Sequence, residues 1–242
     1  MTKPLEDDAR HWQEEGWVVV HDLVPTDEID AAVEELWGLY PRPEEFHDAD
    51  SPRRKAFLAP RPRKWPAPDV PNDMPAFREE QFDGLIKFLF ATAGKLNKLL
   101  LHPRVCDFAR LALGQDDIRL YAAGLWAKYA GATNYEQPLH TDRNHSVVPP
   151  RMEPGWWHME GVLYLNDVDE ESGPTELLAL HDSPSPDPNT HLSPQEAPEA
   201  HSRLTRASGR RGSFLAYRPD VWHRGVQLEG TAASRFTMIA GF

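Results

Sequence analysis

The chain has 242 residues, 40% of them apolar, which is enough for one domain with a sizeable core. Its net charge of −12 argues against broad nucleic-acid binding, and its single cysteine, Cys106, excludes an internal disulfide or a multi-cysteine metal site. Because there is no run of about 18 apolar residues, and the acidic N-terminus lacks the apolar stretch of a signal peptide, we expect a cytoplasmic protein that does not engage membranes.

The first part of the chain, about residues 1–115, is predicted to be mainly helical. The helices are predicted over residues 6–15, 25–40, 83–101 and 103–113. Gly16 and Gly114 follow two of them and are suited to end a helix. Thr26 or Asp27 is a candidate cap for the second helix. Residues 17–20 are apolar and β-branched, and they predict a strand.

Two proline-rich segments interrupt this pattern. Residues 41–76 carry nine prolines and seven basic residues, so we expect no regular structure there. This segment fits either a solvated surface excursion or a lid with a basic lining. Residues 182–211 are punctuated by five prolines and are predicted to run outside the sheet core.

From residue 119 onward, short apolar strands alternate with breaks rich in Gly, Pro, Asn or Asp. The candidate strands are residues 119–129, 138–142, 158–166, 174–180, 212–218, 221–228 and 234–242. Helices followed by a run of strands predict an α+β fold whose strands close into a sandwich or jelly roll. We expect one domain over residues 1–242, with its β core at about 119–242.

A candidate metal site combines two short motifs. His140 and Asp142 are two residues apart on a predicted strand, so their side chains leave the same face and can converge on one ion. His223 follows a turn at Pro219 and Asp220 and supplies a possible third ligand. Two imidazoles and one carboxylate suit a divalent first-row metal and leave three coordination positions open.

A third motif supplies a candidate anion site. Arg235 lies on an otherwise apolar strand, twelve residues after His223, and a charged residue there needs an anionic partner. A guanidinium suits a carboxylate in a bidentate pair. Thr237 shares the face of Arg235 and can add a hydroxyl donor, while Arg224 is the next candidate for the anion. A surface-facing or structurally paired Arg235 is the alternative.

In their order and spacing, these motifs resemble the phytanoyl-CoA dioxygenase family of Fe(II)/2-oxoglutarate oxygenases. The resemblance covers nearly the whole chain. Further matching segments are residues 15–29, 102–114, 165–177 and 212–225. There are two departures: residues 178–182 replace the family's usual turn, and Gly225 stands where a small hydroxyl residue is frequent.

The resemblance implies a double-stranded β-helix, a cupin-like jelly roll, with the N-terminal helices packed on it and long Pro-rich loops. It implies that His140, Asp142 and His223 bind Fe(II) and that Arg235 binds 2-oxoglutarate. The expected reaction consumes O2, hydroxylates or otherwise oxidises a small-molecule substrate, and releases succinate and CO2. The protein is expected to act as a monomer or homodimer.

Several further residues are candidates for the pockets beside the iron. Trp126 and Tyr129 precede the metal motif and are candidates for the co-substrate pocket, or else simple core residues. Candidate substrate contacts are Arg143, His145, Trp157 and, as an alternative to a structural role, His158.

Three other functions remain open. Related halogenases leave the carboxylate position small for chloride, so Asp142 argues for hydroxylation, or for desaturation or ring closure by the same oxidant. A jelly-roll protein that binds metal or ligand without redox turnover and a cupin-type isomerase are the alternatives from other classes.

Overall fold

Helices cover one face of the larger of two antiparallel β-sheets. The computed structural model describes residues 4–59, 84–87, 92–142, 158–184 and 191–242. Its α-helices are α1 (Leu5–Glu15), α2 (Thr26–Leu36), α3 (Pro43–His47), α4 (Pro52–Leu58), α5 (Gly94–Leu99), α6 (Pro103–Leu113) and α7 (Pro198–Ser202). Short 3-10 helices span Glu170–Ser172 and Leu180–Asp182.

The strands divide between the two sheets in jelly-roll fashion. They are β1 (Trp17–Val20), β2 (Leu85–Lys87), β3 (Ala122–Tyr129), β4 (Leu139–His140), β5 (Glu160–Tyr164), β6 (Glu176–Leu177), β7 (His191–Leu192), β8 (Thr205–Arg206), β9 (Phe214–Tyr217), β10 (His223–Arg224) and β11 (Ser234–Gly241). The larger sheet has the order β1-β9-β5-β11-β3-β2, and the smaller has the order β7-β4-β10-β6-β8. The predicted α+β jelly roll is confirmed.

Two helix ends show how the sequence sets the local structure. Gly16 and Gly114 both take the left-handed conformation, with φ of 83° and 62°, and end α1 and α6 as predicted. Pro103 occupies the first turn of α6, and the His102 side chain accepts a hydrogen bond from the Arg104 N–H. The predicted cap of α2 is wrong, because Pro25 holds that position and no side chain caps the helix.

The helical part of the chain is less uniform than predicted. The expected continuous helix over 83–101 is wrong, since β2 lies near its start and, among the described residues of this segment, only those of α5 are helical. β1 and β2 both join the larger sheet, although they precede the predicted β core. Residues 41–59, expected to be irregular, form α3 and α4. The rest of that segment, 60–76, lies outside the described residues.

The second proline-rich segment contributes to the smaller sheet. β7 and β8 form the two edges of that sheet, so the expectation that 182–211 runs outside the sheet core is wrong for these strands. Each has only two residues, and its edge position requires little apolar periodicity. Residues 185–190 are not among those described.

Two apolar clusters lie on the two faces of the larger sheet. One joins the helices to the outer face and includes Trp12, Ile29, Phe108, Phe214 and Met238. The other lies between the sheets and includes Tyr164, Leu177, Leu215 and Tyr217. No helix in the described part of the chain combines the length and apolar character that crossing a membrane requires.

Candidate metal centre and adjoining pocket

Two adjacent strands of the smaller sheet bring the predicted metal ligands together. His140 on β4 and His223 on β10 are direct partners in an antiparallel pair, and their ring centroids are 4.5 Å apart. Directly opposed residues of an antiparallel pair lie on the same face of the sheet. Asp142 lies just beyond the end of β4, where its backbone N–H donates to the Pro219 carbonyl at 2.9 Å.

The donor atoms of these three residues converge. His140 Nε2 is 3.6 Å from Asp142 Oδ1, and His223 Nε2 is 3.4 Å from Asp142 Oδ2. The Nδ1 atoms hydrogen-bond the carbonyls of Pro138 at 2.8 Å and Val221 at 3.0 Å. Because a carbonyl only accepts, each Nδ1 carries a proton, and in the neutral ring Nε2 presents its lone pair to the centre.

This donor set fits a divalent first-row metal. Two imidazole nitrogens and one carboxylate, with ligand atoms all within 4.8 Å of one another, can surround a single ion. The carboxylate offsets part of the charge of such an ion, and three ligands leave positions open for other molecules. The residues present therefore match the metal that the sequence motif predicts.

The two histidines differ in their electrostatic state. Burial, with the neighbouring His223, lowers the pKa of His140 to about 4, so this ring is neutral and ready to bind a metal at pH 7. Burial also opposes a charge on His223, but the Asp142 carboxylate more than offsets it and raises the pKa of His223. The Asp142 carboxylate therefore favours the charged form of His223, whereas burial favours the neutral form of His140.

Tyr217 supports the metal ligands, and the sequence did not single it out. Its hydroxyl donates to Asp142 Oδ2 at 3.2 Å, and its ring centroid is 4.5 Å from that of His223. Burial, followed by the nearby Asp142 charge, raises the pKa of Tyr217 well above its usual value, so the phenol stays protonated as a donor. From the sequence, Tyr217 is predicted only to lie on an apolar strand.

His191 is a second residue near the site that the sequence did not single out. It lies opposite His140 in the pairing of β7 with β4, and the two ring centroids are 6.2 Å apart. The side chain is exposed, so His191 lies at the solvent side of the metal ligands.

A buried arginine lies on the inner face of the larger sheet. Arg235 on β11 is buried, and its Nη1 donates to the Gly173 carbonyl. Burial lowers the pKa of Arg235. Within the described part of the chain, no carboxylate forms an ion pair with this guanidinium, so it remains available for an anionic ligand. Thr237 is two residues further along and lies between Trp126 on β3 and Tyr164 on β5.

Lys128 lies directly opposite Arg235 in the pairing of β11 with β3. Its Nζ donates to the carbonyls of Tyr135 at 2.8 Å and Val226 at 2.7 Å, and lies 3.9 Å from the centroid of the Tyr135 ring. Burial, together with the Arg235 charge, lowers the pKa of Lys128 to about 5. The lysine therefore joins the segments that precede His140 and follow His223.

The structure does not bring every candidate to the site. Trp126 lies beside Thr237, but Tyr129 points to the opposite face of β3, where it stacks on Phe46 with ring centroids 4.1 Å apart. Its hydroxyl donates to the Pro41 carbonyl, so its expected place in the co-substrate pocket is wrong. Side chains alternate between the faces of a strand, which separates these two aromatic residues.

The structure describes only one of four further candidates. Arg143, His145 and Trp157 lie outside the described residues. Arg224, the second candidate for the anion, instead pairs with Glu176 at 2.7 Å and Glu136 at 2.8 Å, so its charge is already matched.

Comparison with protein families agrees with the fold and the donor set. The family model described as Phytanoyl-CoA dioxygenase (PhyH) matches residues 12–236, and the chain belongs to this family. This confirms the resemblance inferred from the motifs. Comparison with curated protein sequences gave no match.

Solved structures with a similar fold include enzymes of natural-product biosynthesis. SnoN, described as a non-heme alpha ketoglutarate dependent epimerase from nogalamycin biosynthesis, is 16% identical over 98% of this chain and 79% of that chain, with a TM-score of 0.67. SnoK, the corresponding carbocyclase, is 16% identical over 100% of this chain and 86% of that chain, with a TM-score of 0.67. AviO1 from Streptomyces viridochromogenes Tue57 is 14% identical over 100% of this chain and 95% of that chain, with a TM-score of 0.65.

Proposed function

We propose that this protein is a non-haem Fe(II) enzyme that uses 2-oxoglutarate and O2 to hydroxylate a small-molecule substrate, with succinate and CO2 as co-products. The observation that carries the proposal is the convergence of the Nε2 atoms of His140 and His223 on the Asp142 carboxylate. The buried Arg235, with no carboxylate partner among the described residues, adds a place for a dicarboxylate co-substrate.

In this proposal His140, Asp142 and His223 hold the iron. Iron and 2-oxoglutarate together would supply the oxidising power, and the protein supplies binding, orientation and exclusion of water. The backbone carbonyls of Pro138 and Val221 fix which nitrogen of each imidazole faces the metal. Tyr217 holds one oxygen of Asp142, which orients the carboxylate.

Arg235 binds the distal carboxylate of 2-oxoglutarate, with Thr237 as a hydroxyl donor and Trp126 as an apolar wall. A bidentate guanidinium–carboxylate pair is strong when buried. The neutral amine of Lys128 leaves Arg235 as the fixed positive charge of this pocket, so one cation meets one carboxylate. Arg143, His145 and Trp157 remain proposed substrate contacts.

The comparisons support the co-substrate but leave the outcome of the oxidation to experiment. SnoN is described in complex with Fe3+, alpha ketoglutarate and nogalamycin RO. SnoN and SnoK are described as an epimerase and a carbocyclase. We favour hydroxylation because a three-residue ligand set with Asp142 provides no place for a halide in the carboxylate position.

Anaerobic reconstitution followed by addition of O2 tests the proposal. The protein with Fe(II) and 2-oxoglutarate should form succinate and CO2 in equal amounts, slowly without a main substrate. His140→Ala, Asp142→Ala and His223→Ala should each abolish this turnover and weaken Fe(II) binding. Glu14→Gln, which changes an exposed residue of α1, serves as the control.

Two results would contradict the proposed function. Full turnover in Asp142→Ala would remove the carboxylate ligand from the assignment. Metal binding by the wild type without any iron-dependent consumption of 2-oxoglutarate would favour the non-redox binding protein or the cupin-type isomerase instead.

A further inference from the structure

A second polar cluster lies beside the metal ligands and is not used in the proposed chemistry. It consists of Tyr121, His158 and Glu160. The Tyr121 hydroxyl is 2.7 Å from Glu160 Oε1 and 2.6 Å from His158 Nε2, and His158 Nε2 is 3.1 Å from the same carboxylate oxygen. We call these three residues the Glu160 cluster.

The hydrogen-bond directions in the Glu160 cluster are determined by the groups present. The tyrosine hydroxyl has one proton, and it donates this proton to the Glu160 carboxylate. His158 Nε2 must then be the protonated nitrogen, donating to the Tyr121 oxygen. Both contacts to the carboxylate fall on Oε1. Among the described residues, none donates a hydrogen bond to Oε2.

The strand register places the cluster beside the metal site. Glu160, the first residue of β5, is directly opposite Tyr217 on β9, and Tyr217 donates to the Asp142 carboxylate. Side chains directly opposed in an antiparallel pair are roughly 4.5–5.5 Å apart at Cβ. The Glu160 carboxylate is thus one side chain away from the metal ligands.

Gly241 makes room for the cluster. It lies on β11, which pairs with β5 on the side opposite β9, and it is directly opposite Glu160. A Cβ added there would be 2.3 Å from the Tyr121 ring. Any larger residue would displace Tyr121 and its hydroxyl. The ring therefore occupies space that the missing side chain leaves beside the Glu160 carboxylate.

The cluster is accessible and negatively charged. Tyr121 is 39% exposed, and the Glu160 side chain is 19% exposed, so a ligand can reach them from solvent. Arg218, the residue after Tyr217, is already bound by Asp220 through two contacts of 2.9 and 2.7 Å. Asp142 adds a second carboxylate on the other side of Tyr217.

We propose that Glu160, held in place by Tyr121 and His158, binds a protonated amine of the main substrate beside the metal centre. The free Oε2 accepts a charge-assisted hydrogen bond from the ammonium group, and the partly buried position strengthens it. The substrate class is thus an amine. That this amine is oxidised rests on the proposed function. Binding of the amine itself requires only the residues of the Glu160 cluster.

A pair of matched probes tests this site. Cyclohexylammonium and cyclohexanol have nearly the same shape and differ in charge, so their binding separates an ammonium site from an apolar pocket. Saturation-transfer NMR with the full chain, both metal-free and loaded with diamagnetic Zn(II) and 2-oxoglutarate, would measure their affinities. The variants are Glu160→Gln, Glu160→Asp and the remote control Glu14→Gln.

We expect cyclohexylammonium to bind the wild type and Glu14→Gln equally and to bind Glu160→Gln about tenfold or more weakly, because a charge-assisted contact is lost. Glu160→Asp should retain part of the affinity, and cyclohexanol should bind weakly to all variants. The proposal is overturned if cyclohexylammonium does not bind the wild type, if Glu160→Gln binds it equally well, or if cyclohexanol binds as tightly.

A crystal structure of the wild type with cyclohexylammonium keeps the test decisive should Glu160→Gln not fold. Nitrogen density at Glu160 Oε2 supports the site, and density elsewhere contradicts it. Succinate formation is measured on the same proteins. If the wild type binds the amine but forms no succinate, the proposed function alone is refuted. If the wild type forms succinate but does not bind the amine at Glu160, the amine site alone is refuted.

Discussion

At the scale of single residues, we expect the proposed metal centre to depend on a hydroxyl that is not itself a ligand. Tyr217→Phe removes the hydrogen bond to Asp142 Oδ2 and keeps the ring against His223. Because partners of metal ligands orient them, we expect Fe(II) affinity to fall about tenfold or more. Anaerobic titration with Fe(II) measures this.

Tyr164→Phe is the matched control for this change. It removes a buried hydroxyl that donates to the Ala207 carbonyl and not to a metal ligand. We expect a loss of about 1 kcal/mol in the free energy of unfolding with unchanged Fe(II) affinity. Equal Fe(II) affinity in wild type and Tyr217→Phe would show that the Asp142 carboxylate is held by other contacts.

Arg235 and Arg224 should respond differently to removal. Arg235→Ala takes away the buried guanidinium that has no carboxylate partner among the described residues, so the KM for 2-oxoglutarate should rise steeply. The loss corresponds to about 2–5 kcal/mol for a buried charge-assisted pair. Fe(II) affinity should change little.

Arg224→Ala instead breaks the ion pairs with Glu176 and Glu136, so it should lower stability while leaving the KM for 2-oxoglutarate nearly unchanged. Steady-state kinetics with chemical denaturation on both variants separates these effects. A larger change in the KM for 2-oxoglutarate in Arg224→Ala than in Arg235→Ala would mean that Arg224, and not Arg235, binds the co-substrate.

Lys128 should make the stability of the metal-free protein depend on pH. Its pKa is about 5 in the folded chain and near its ordinary 10.5 when unfolded, because burial disfavours the charge. Between these values the unfolded state binds one more proton, so stability rises with pH. The slope from this group is about 1.4 kcal/mol per pH unit.

Lys128→Met should remove that slope, because methionine fills the space without titrating. Urea unfolding at several values between about pH 6 and pH 9, without metal or 2-oxoglutarate, measures it. Lys98→Met, an exposed lysine on α5, should leave the slope of the wild type intact. A slope in Lys128→Met equal to that of the wild type would mean that Lys128 is charged in the folded protein.

At the scale of elements, sequence patterns located most strands and missed three short ones. β3, β9 and β11 fall within predicted segments because their burial creates apolar runs or alternation. β2, β7 and β8 have two or three residues each, too few for any periodicity. They are set by pairing with distant strands, which no local pattern encodes.

Close packing between β5 and β9 requires a residue without a side chain at Gly161. A Cβ there would be 2.1 Å from the Phe214 ring, so Gly161→Ala should lower the free energy of unfolding by about 1–3 kcal/mol through overpacking. Gly94→Ala is the control, since a Cβ at the start of α5 meets nothing within 4 Å. Denaturant unfolding compares the two, and equal stability of both variants would contradict this packing.

At the scale of the whole molecule, the sequence predicted the grouping of His140, Asp142 and His223 better than the residues around them. His140 and Asp142 are close in the chain, so alternation along a strand brings them together. Tyr217 and His191 reach the site only through the register of β9, β7 and their neighbours. Such contacts between distant segments depend on the complete fold, which explains why the sequence did not reveal them.

The central claim is that one metal ion and one dicarboxylate bind side by side in the jelly roll. Anomalous diffraction at the iron edge, from anaerobic crystals of the wild type with Fe(II) and 2-oxoglutarate, tests it most directly. We predict one iron peak among His140 Nε2, Asp142 and His223 Nε2, with the distal carboxylate of 2-oxoglutarate at Arg235. Iron bound at any other residues, or 2-oxoglutarate held away from Arg235, would contradict this account.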